Sequence, residues 1–401
     1  MGSGKSSWAI RYINNNREKK FLCIVPLLEE CERYKQNTEI DIIDPKQWGT
    51  KWKHFQYLVE NGRSIVTTHA LIQKMDLEVL ELLKSRDYVL MIDECLEVLT
   101  PYKISKNDVK IIFNEKLVTI DEDGFLVWND DHKLYTGAFD EIKKLCGLKS
   151  LMGYKRENSD DLAKILMWNF PIDFFKCFAE SYIFTYLWDG SIQKAYFDLH
   201  GIQYKKYMIK DRQLSDYSND LARERKRNIS GLIHIYEGKL NRIGDKIGKS
   251  NPLSKTWYEN KKKKNSTILN QLKRNTENYF RSITKTDSSQ NMYTTFSQYT
   301  KYVKGKGYSK GLVSCNARGT NEYRDKTALA YLVNFFMHPE VRHFINYYKL
   351  DFNEDLYSLS ALLQWIWRSQ IRDNKPVSIY IPSERMRELL KVWLFDEKNI
   401  A

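Results

Sequence analysis

The stretch Tyr88-Val89-Leu90-Met91-Ile92-Asp93-Glu94 most constrains what this chain can fold into. Four apolar residues run without a polar break into paired carboxylates. A continuous apolar run of this kind suits a strand buried in a parallel sheet. Phe21-Leu22-Cys23-Ile24-Val25, stopped by Pro26, has the same texture, and Leu27 to Tyr34 then reads as a helix. Arg63 to Thr68 is another strand, and His69-Ala70-Leu71-Ile72 begins the next helix. Tyr182 to Leu187 adds a further buried strand, with Thr185 and Asp189 near its end. Strands alternating with helices argue for an α/β core with mostly parallel sheets. Ligands of such sheets bind beyond the carboxyl ends of the strands, where Asp93 and Glu94 stand.

A second signal precedes these strands. Met1-Gly2-Ser3-Gly4-Lys5-Ser6-Ser7 contains the G-K-[ST] that closes a phosphate-binding loop, which makes Gly2, Ser3, Gly4, Lys5, Ser6 and Ser7 candidate phosphate contacts. Gly4 permits a tight backbone turn. Lys5 would reach the β- and γ-phosphates, and Ser6 would offer its hydroxyl to Mg²⁺. Ser7 to Ile13 reads as a helix whose free amides face the phosphates. The first glycine of the pattern would fall before Met1, and no apolar strand leads into the loop. The expectation is a start upstream of residue 1, or a strand lent by another segment. A Gly/Ser tail is the plain alternative, but such a tail rarely runs straight into an amphipathic helix and a strand.

Asp93 fits the second Mg²⁺ ligand and Glu94 the group that orients and deprotonates water. Alone, the pair also reads as a helix cap. Its order after the loop favours an ATP site with Mg²⁺.

The net charge is +13, from 64 Lys+Arg against 51 Asp+Glu, which favours a polyanionic partner or an anionic surface. No stretch approaches the ~18 apolar residues of a membrane helix, so no membrane association is expected. The start lacks the apolar segment of a signal peptide. Six cysteines are scattered without Cys-x-x-Cys, against both zinc and disulfide frameworks, and the expectation is a reducing cytoplasm. Most of the 26 Tyr and 10 Trp suit packing, with some available to stack on bases.

Two domains are expected, 1–195 and 196–401. In the first, 105–130 reads as a small β excursion. Val109 to Ile112 and Leu117 to Ile120 alternate, and Asp123-Gly124 offers a turn before Phe125 to Trp128. Ser159 to Met167 reads as a helix. In the second domain, 211–290 is a basic insertion containing Arg223-Glu224-Arg225-Lys226-Arg227 and Lys261-Lys262-Lys263-Lys264. These suit solvated faces or nucleic-acid backbone contacts. Tyr293 to Ser297 and Gly311 to Cys315 read as strands, and the polar turn after the latter holds Arg318 and Gly319. Lys326 to Met337 reads as an apolar helix. Ser358 to Arg372 reads as another, with Gln364, Arg368 and Arg372 along one side at i, i+4 and i+8. Val377 to Ile381 is a strand, and Ser383 caps a final helix over Glu384 to Trp393.

Together these residues resemble the superfamily 2 helicases and translocases. Lys5 in GSGKSS matches the phosphate-loop lysine of that family. Thr67-Thr68-His69-Ala70 resembles its nucleic-acid backbone contact, which makes Thr67, Thr68 and His69 candidates beside the four lysines. Asp93-Glu94 matches the first half of the DEAD/DEAH box, while Cys95-Leu96 depart from the second half. Thr185 to Ser191 stands where the Ser-Ala-Thr coupling segment falls. Arg318-Gly319 resembles an element near the second-domain ATP contact. Gln364 and Arg368 fit the Gln-x-x-Gly-Arg-x-x-Arg helix, with Trp367 in place of its glycine and Arg372 one place beyond its last arginine.

The resemblance implies two RecA-like domains with Mg²⁺·ATP in the cleft between them. It assigns Lys5, Asp93, Glu94, Arg368 and Arg372 to catalysis, and Gln364, Arg318 and Gly319 to nucleotide contact. The texture of 311–390 is similar to helicases of phages or other mobile elements, which would work in a bacterial host's cytoplasm on DNA ahead of RNA. Two alternatives stand beside this reading. One is an oligomeric packaging or remodelling ATPase that self-associates or joins a protein partner. The other is a non-enzymatic nucleic-acid-binding module with a decayed ATP site.

Overall fold

The computed structural model describes every residue except 1–3, 48, 156–163, 265, 316–321 and 396–401, and the side chains of 155, 164, 263, 264 and 266. Gly2, Ser3, Arg318 and Gly319, and the side chains of Lys263 and Lys264, therefore lie outside the described residues. The chain divides into two units. One holds Gly4–Lys205 and His338–Phe352; the other holds Lys206–Met337 and the chain from Asn353 onward.

The first unit is built on a five-stranded sheet of β1 (Lys20–Val25), β2 (Ile42–Ile43), β3 (Ser64–Thr68), β4 (Tyr88–Asp93) and, after an excursion of five further strands, β10 (Glu180–Phe184). Its order is β10-β4-β1-β3-β2, parallel throughout. Phe21 to Val25 are wholly buried, as are Tyr88 to Ile92 within a few per cent, because helices cover both faces. The Lys5–Asn15 helix buries Trp8, Ala9, Ile10 and Ile13 and leads into β1. Trp8 meets Tyr182 and Phe184 edge-on, at ring-centroid distances of 5.3 and 5.8 Å, so this helix is seated on β10. Asp93 pairs in register with Phe184, and Ile24 with both Thr67 and Ile92. The carboxyl ends of these four strands therefore form one rim.

The excursion is larger than the expected 105–130. Its antiparallel sheet joins β5 (Leu99–Pro101), β8 (Leu151–Lys155) and β9 (Lys164–Asn169), and β6 (Val118–Ile120) pairs with β7 (Leu126–Trp128) as a hairpin. Two expectations are corrected here. Val109 to Ile112 lies in a helix, Lys106–Asn114, because Ser105 caps it by accepting from the Asp108 amide (3.1 Å). Lys164 to Met167 is strand rather than helix, since β9 is held on both sides by β5 and β8. The helix Pro339–Tyr347 also belongs to this unit. Tyr154 donates its hydroxyl to the Glu340 carbonyl (2.9 Å) and packs on Phe344 (5.6 Å).

The second unit opens with an antiparallel hairpin, β11 (Tyr207–Lys210) and β12 (Gln213–Asp216). Its main sheet is parallel, in the order β13 (Ile233–Ile235), β16 (Val377–Tyr380), β15 (Ala328–Tyr331), β14 (Asn291–Thr294). The basic stretch 211–290 holds the helices Asn219–Ser230, Lys255–Lys264 and Ser266–Asn278, and it also supplies β13. Gly311 to Cys315 contributes a single bridge, Leu312 to Tyr293.

The expected helix over Lys326 to Met337 is corrected: Ala328 to Tyr331 is a central strand. All four of its residues are wholly buried, and a run apolar on every side suits a two-face-buried strand as well as a buried helix. Two mostly parallel sheets flanked by helices give the tandem RecA-like α/β architecture expected from the sequence. Among the described residues, no helix is long and apolar enough to cross a membrane. The six cysteines are unbridged.

Candidate functional site

Gly4 adopts the left-handed conformation (φ 77°, ψ 23°) directly before the Lys5–Asn15 helix. A glycine takes this conformation without the Cβ clash that other residues meet. Among the described residues, no heavy atom lies within 4 Å of where a Cβ would stand. Among the described residues no side chain caps the first amides of the helix, and such amides are anion donors.

Ser6, in the first turn, donates its hydroxyl to Oδ2 of Asp93 at 3.0 Å. Asp93 ends β4. Its carboxyl is pushed up from 3.8 to about 6, chiefly by burial and next by the charge of Glu94; Lys5 and the Ser6 hydroxyl pull the other way. Glu94 follows in the left-handed region at φ 66°, a conformation uncommon outside glycine. Its amide donates to the Phe184 carbonyl (3.0 Å), and the Cys95 thiol donates to the Thr185 hydroxyl (3.3 Å). The end of β10 is thus tied to the residues that follow Asp93. Among the described residues Lys5 forms no ion pair.

Ser6 and Asp93 carry the oxygen atoms here that could enter a Mg²⁺ shell completed by phosphate oxygens and water. They do not form a cage by themselves: among the described residues no three His, Cys, Asp or Glu gather to hold a metal.

The Thr67-Thr68-His69 element divides. Thr67 is 1% exposed and His69 7%, with His69 Nε2 at 2.9 Å from the Asp93 carbonyl oxygen. Of the three residues expected to touch a nucleic-acid backbone, Thr67 and His69 are buried and Thr68 is partly exposed. Sequence reasoning missed Glu30 and Arg33 near this rim. Glu30 is buried and pairs with Arg33 (3.2 Å), which also donates to the Ser7 hydroxyl (3.3 Å). The i, i+3 spacing of the pair was the available signal.

In the other unit, Gln364, Arg368 and Arg372 do not share one helix. The helix Glu354–Ile366 ends with Trp367 as its C-cap. The Arg368 amide closes a tight turn on Trp365 (3.1 Å), and Arg372 sits in a separate short turn, Gln370–Asp373. The expected i, i+4, i+8 stripe is therefore corrected. Ser369 bends the chain by donating its hydroxyl back to the Ile366 carbonyl (2.7 Å). Arg368 is 6% exposed; Gln364 and Arg372 are half-buried. Lys261 is half-buried, and Lys262 is exposed and pairs with Glu259 (3.3 Å).

Two arginines beyond β16 were not anticipated. Arg387, 7% exposed, donates to the Ile381 and Pro382 carbonyls (2.9 and 3.1 Å). Arg385 donates to the Phe335 carbonyl (2.8 Å), Asp355 (2.6 Å) and Ser358 (3.0 Å). Both fasten the carboxyl ends of β15 and β16.

Residues 227–394 match the model of the YonV C-terminal Rossmann-like domain, and residues 99–168 match that of the YonV middle domain. The chain is also 36% identical to the SPbeta prophage-derived uncharacterized protein YonV of Bacillus subtilis (strain 168), over 99% of this chain and 98% of that protein. The chain belongs to the YonV family. The YonV middle domain coincides with the β5–β9 excursion, and the YonV C-terminal domain with the parallel sheet of the second unit. A solved XPD helicase chain aligns at a TM-score of 0.44 and 10% identity, covering 98% of this chain and 93% of that one. An apo XPD chain aligns at 0.37 and 11%, covering 97% and 93%. Those two values are too low to bear on function.

Proposed function

We propose that this YonV-family chain hydrolyses Mg²⁺·ATP and uses the cycle to move along nucleic acid, as a superfamily 2 type translocase or helicase. The observation that carries the reading is the Ser6–Asp93 hydrogen bond. It joins a helix start behind a left-handed glycine to the carboxyl end of a central parallel strand. Bound Mg²⁺·ATP would supply the phosphoanhydride to be cleaved and the cation that neutralises its oxygens.

The chain's own groups have separable tasks. Gly4 and the uncapped amides cradle phosphate oxygens, Lys5 neutralises them, and Ser6 and Asp93 hold the cation. Glu94 orients the attacking water and takes its proton. Its left-handed backbone is fixed by the Phe184 carbonyl, so movement at the end of β10 would move the base. Arg368 and Arg372 are the candidates for stabilising charge on the γ-phosphate. Thr68 and the lysines from Lys261 to Lys264 are the candidates for backbone contact with the nucleic acid. The prophage origin of the B. subtilis relative favours DNA as the track and a bacterial host's cytoplasm as the setting.

The test is ATP turnover with and without oligonucleotide, in the native chain and in Glu94→Gln. The native chain is expected to turn over and to be stimulated. The variant is expected to lose at least 10²-fold in rate while keeping nucleotide affinity within about threefold. Normal turnover in the variant would reject the assignment of Glu94. No turnover in the native chain, with or without nucleic acid, would reject the enzyme.

A further inference from the structure

The nucleotide site leaves one basic feature of the second unit unused. Arg223, Lys226 and Arg227 stand at i, i+3 and i+4 on the Asn219–Ser230 helix, the spacing of neighbours on one helical face. With Ser230, Leu394 and Phe395 they line a concavity of about 210 Å³. A second concavity of about 600 Å³ shares Ser230 and Phe395 and runs along β13, with Lys391 on its wall. β13 is an edge strand, so this side is not covered by a further strand of the sheet. The shared residues make the two concavities one groove.

Its described lining is mainly basic. Among the described residues, four cationic side chains and one carboxylate, Glu237, line the groove; Lys391 engages Glu237 at 2.5 Å, and Lys226 and Arg227 also have interaction partners. Arg223 has a partial counter-charge in Asp220 at 3.3 Å, which is 91% exposed and well solvated. Phe395, 63% exposed, presents a large aromatic ring where the two concavities join. A basic track with an aromatic platform is the physical pattern of sequence-tolerant single-strand binding: cations follow the phosphates and the ring stacks a base. A peptide docking along β13 would use the edge strand but would leave the three-cation end unexplained unless it were acidic.

We propose that this groove binds single-stranded nucleic acid, with phosphates on Arg223, Lys226 and Arg227 and a base against Phe395. The proposal rests on the nucleic-acid reading above and adds a surface to it.

The test titrates fluorescein-labelled dT20 with the full chain across a salt series, read by anisotropy. R223A/K226A/R227A is expected to lose tenfold or more in affinity and to flatten the salt slope by about 2, three contacts at roughly 0.7 each. F395A is expected to lose about fivefold or more with the slope unchanged, because stacking releases no counterion. R223K/R227K keeps the charge and is expected to keep binding, so a triple variant that fails to fold leaves the question decidable. Native-like binding by both the triple variant and F395A overturns the groove while leaving the nucleic-acid reading standing. A native chain that binds no oligonucleotide at low salt overturns both. Binding of a labelled polyglutamate peptide that the triple variant loses, with dT20 binding unmoved, gives the groove to an acidic protein segment and also overturns the proposal.

Discussion

Ser6 and Asp93, 87 residues apart in the chain, are joined by a 3.0 Å hydrogen bond between hydroxyl and carboxylate. The strand order explains the meeting. The Lys5–Asn15 helix lies against β10, β10 pairs with β4, and β4 ends at Asp93. The helix start and the strand end therefore share one rim. A buried carboxylate there carries a cost without a cation, and that cost has measurable consequences.

Burial first, and Glu94 second, raise the Asp93 carboxyl from 3.8 to about 6. The folded chain thus holds this proton more tightly than the unfolded chain. The associated stability is fully present below about pH 4 and is lost as pH rises through 6. Asp93→Asn removes the loss. Without ligand, it is expected to be more stable than the native chain at pH 7.5, by up to about 3 kcal/mol. The difference should shrink to nothing near pH 4. Thermal melts across pH check this; a variant equally destabilised at both pH values would contradict it.

The same carboxyl sets a pH dependence for the ligand. A cation needs the carboxylate, and protons compete for it. Mg²⁺-dependent nucleotide affinity is expected to rise between pH 5 and 7, with its midpoint near 6, and to flatten above. Nucleotide binding in EDTA should lack that step. Calorimetric titration at several pH values makes the comparison.

Gly4 tests the loop without touching a charge. Its φ of 77° costs an alanine roughly 1–2 kcal/mol, and among the described residues no neighbour stands within 4 Å to clash. Gly4→Ala is therefore expected to weaken nucleotide binding about tenfold while shifting the melt only slightly. Unchanged binding would mean the turn does not present the phosphate donors.

Arg368→Ala tests the proposed arginine role in turnover. An arginine that stabilises γ-phosphate charge contributes on the order of 10³–10⁵ in rate. Arg368→Ala is expected to lower kcat by at least 10³ with nucleotide affinity little changed. The residue is 6% exposed, so the melt must be compared. Arg387→Ala serves as the contrast, because Arg387 bonds two carbonyls beside Glu237 and Asp245. It should cost about 3 kcal/mol of stability, and what remains folded should turn over normally.

Much of this was legible in the residues. Continuous apolar runs marked β1 and β4, as suits strands covered on both faces. The order of Gly4-Lys5-Ser6 and Asp93-Glu94 anticipated their meeting. The misreadings share a cause. Ala328-Leu329-Ala330-Tyr331 is apolar throughout and rich in good helix formers, so periodicity does not separate a buried strand from a buried helix. Val109-Lys110-Ile111 alternates like a strand, yet Val109 and Ile112 are the buried pair at i, i+3, and the cap at Ser105 was the better signal. The break after Ile366 was hidden because Trp365, Ile366 and Trp367 continue the apolar pattern through the end of the helix. Arg385 and Arg387 were overlooked because their acceptors are mostly carbonyls of other strand ends, which no local spacing reveals.

Equilibrium binding of Mg²⁺·ATP to the native chain and to Lys5→Ala tests the central claim most directly. The account expects saturable binding by the native chain at pH 7.5, in the micromolar range, and at least a tenfold loss in Lys5→Ala with an unchanged melt. Absence of binding by the native chain, or equal affinity in the two, would contradict it.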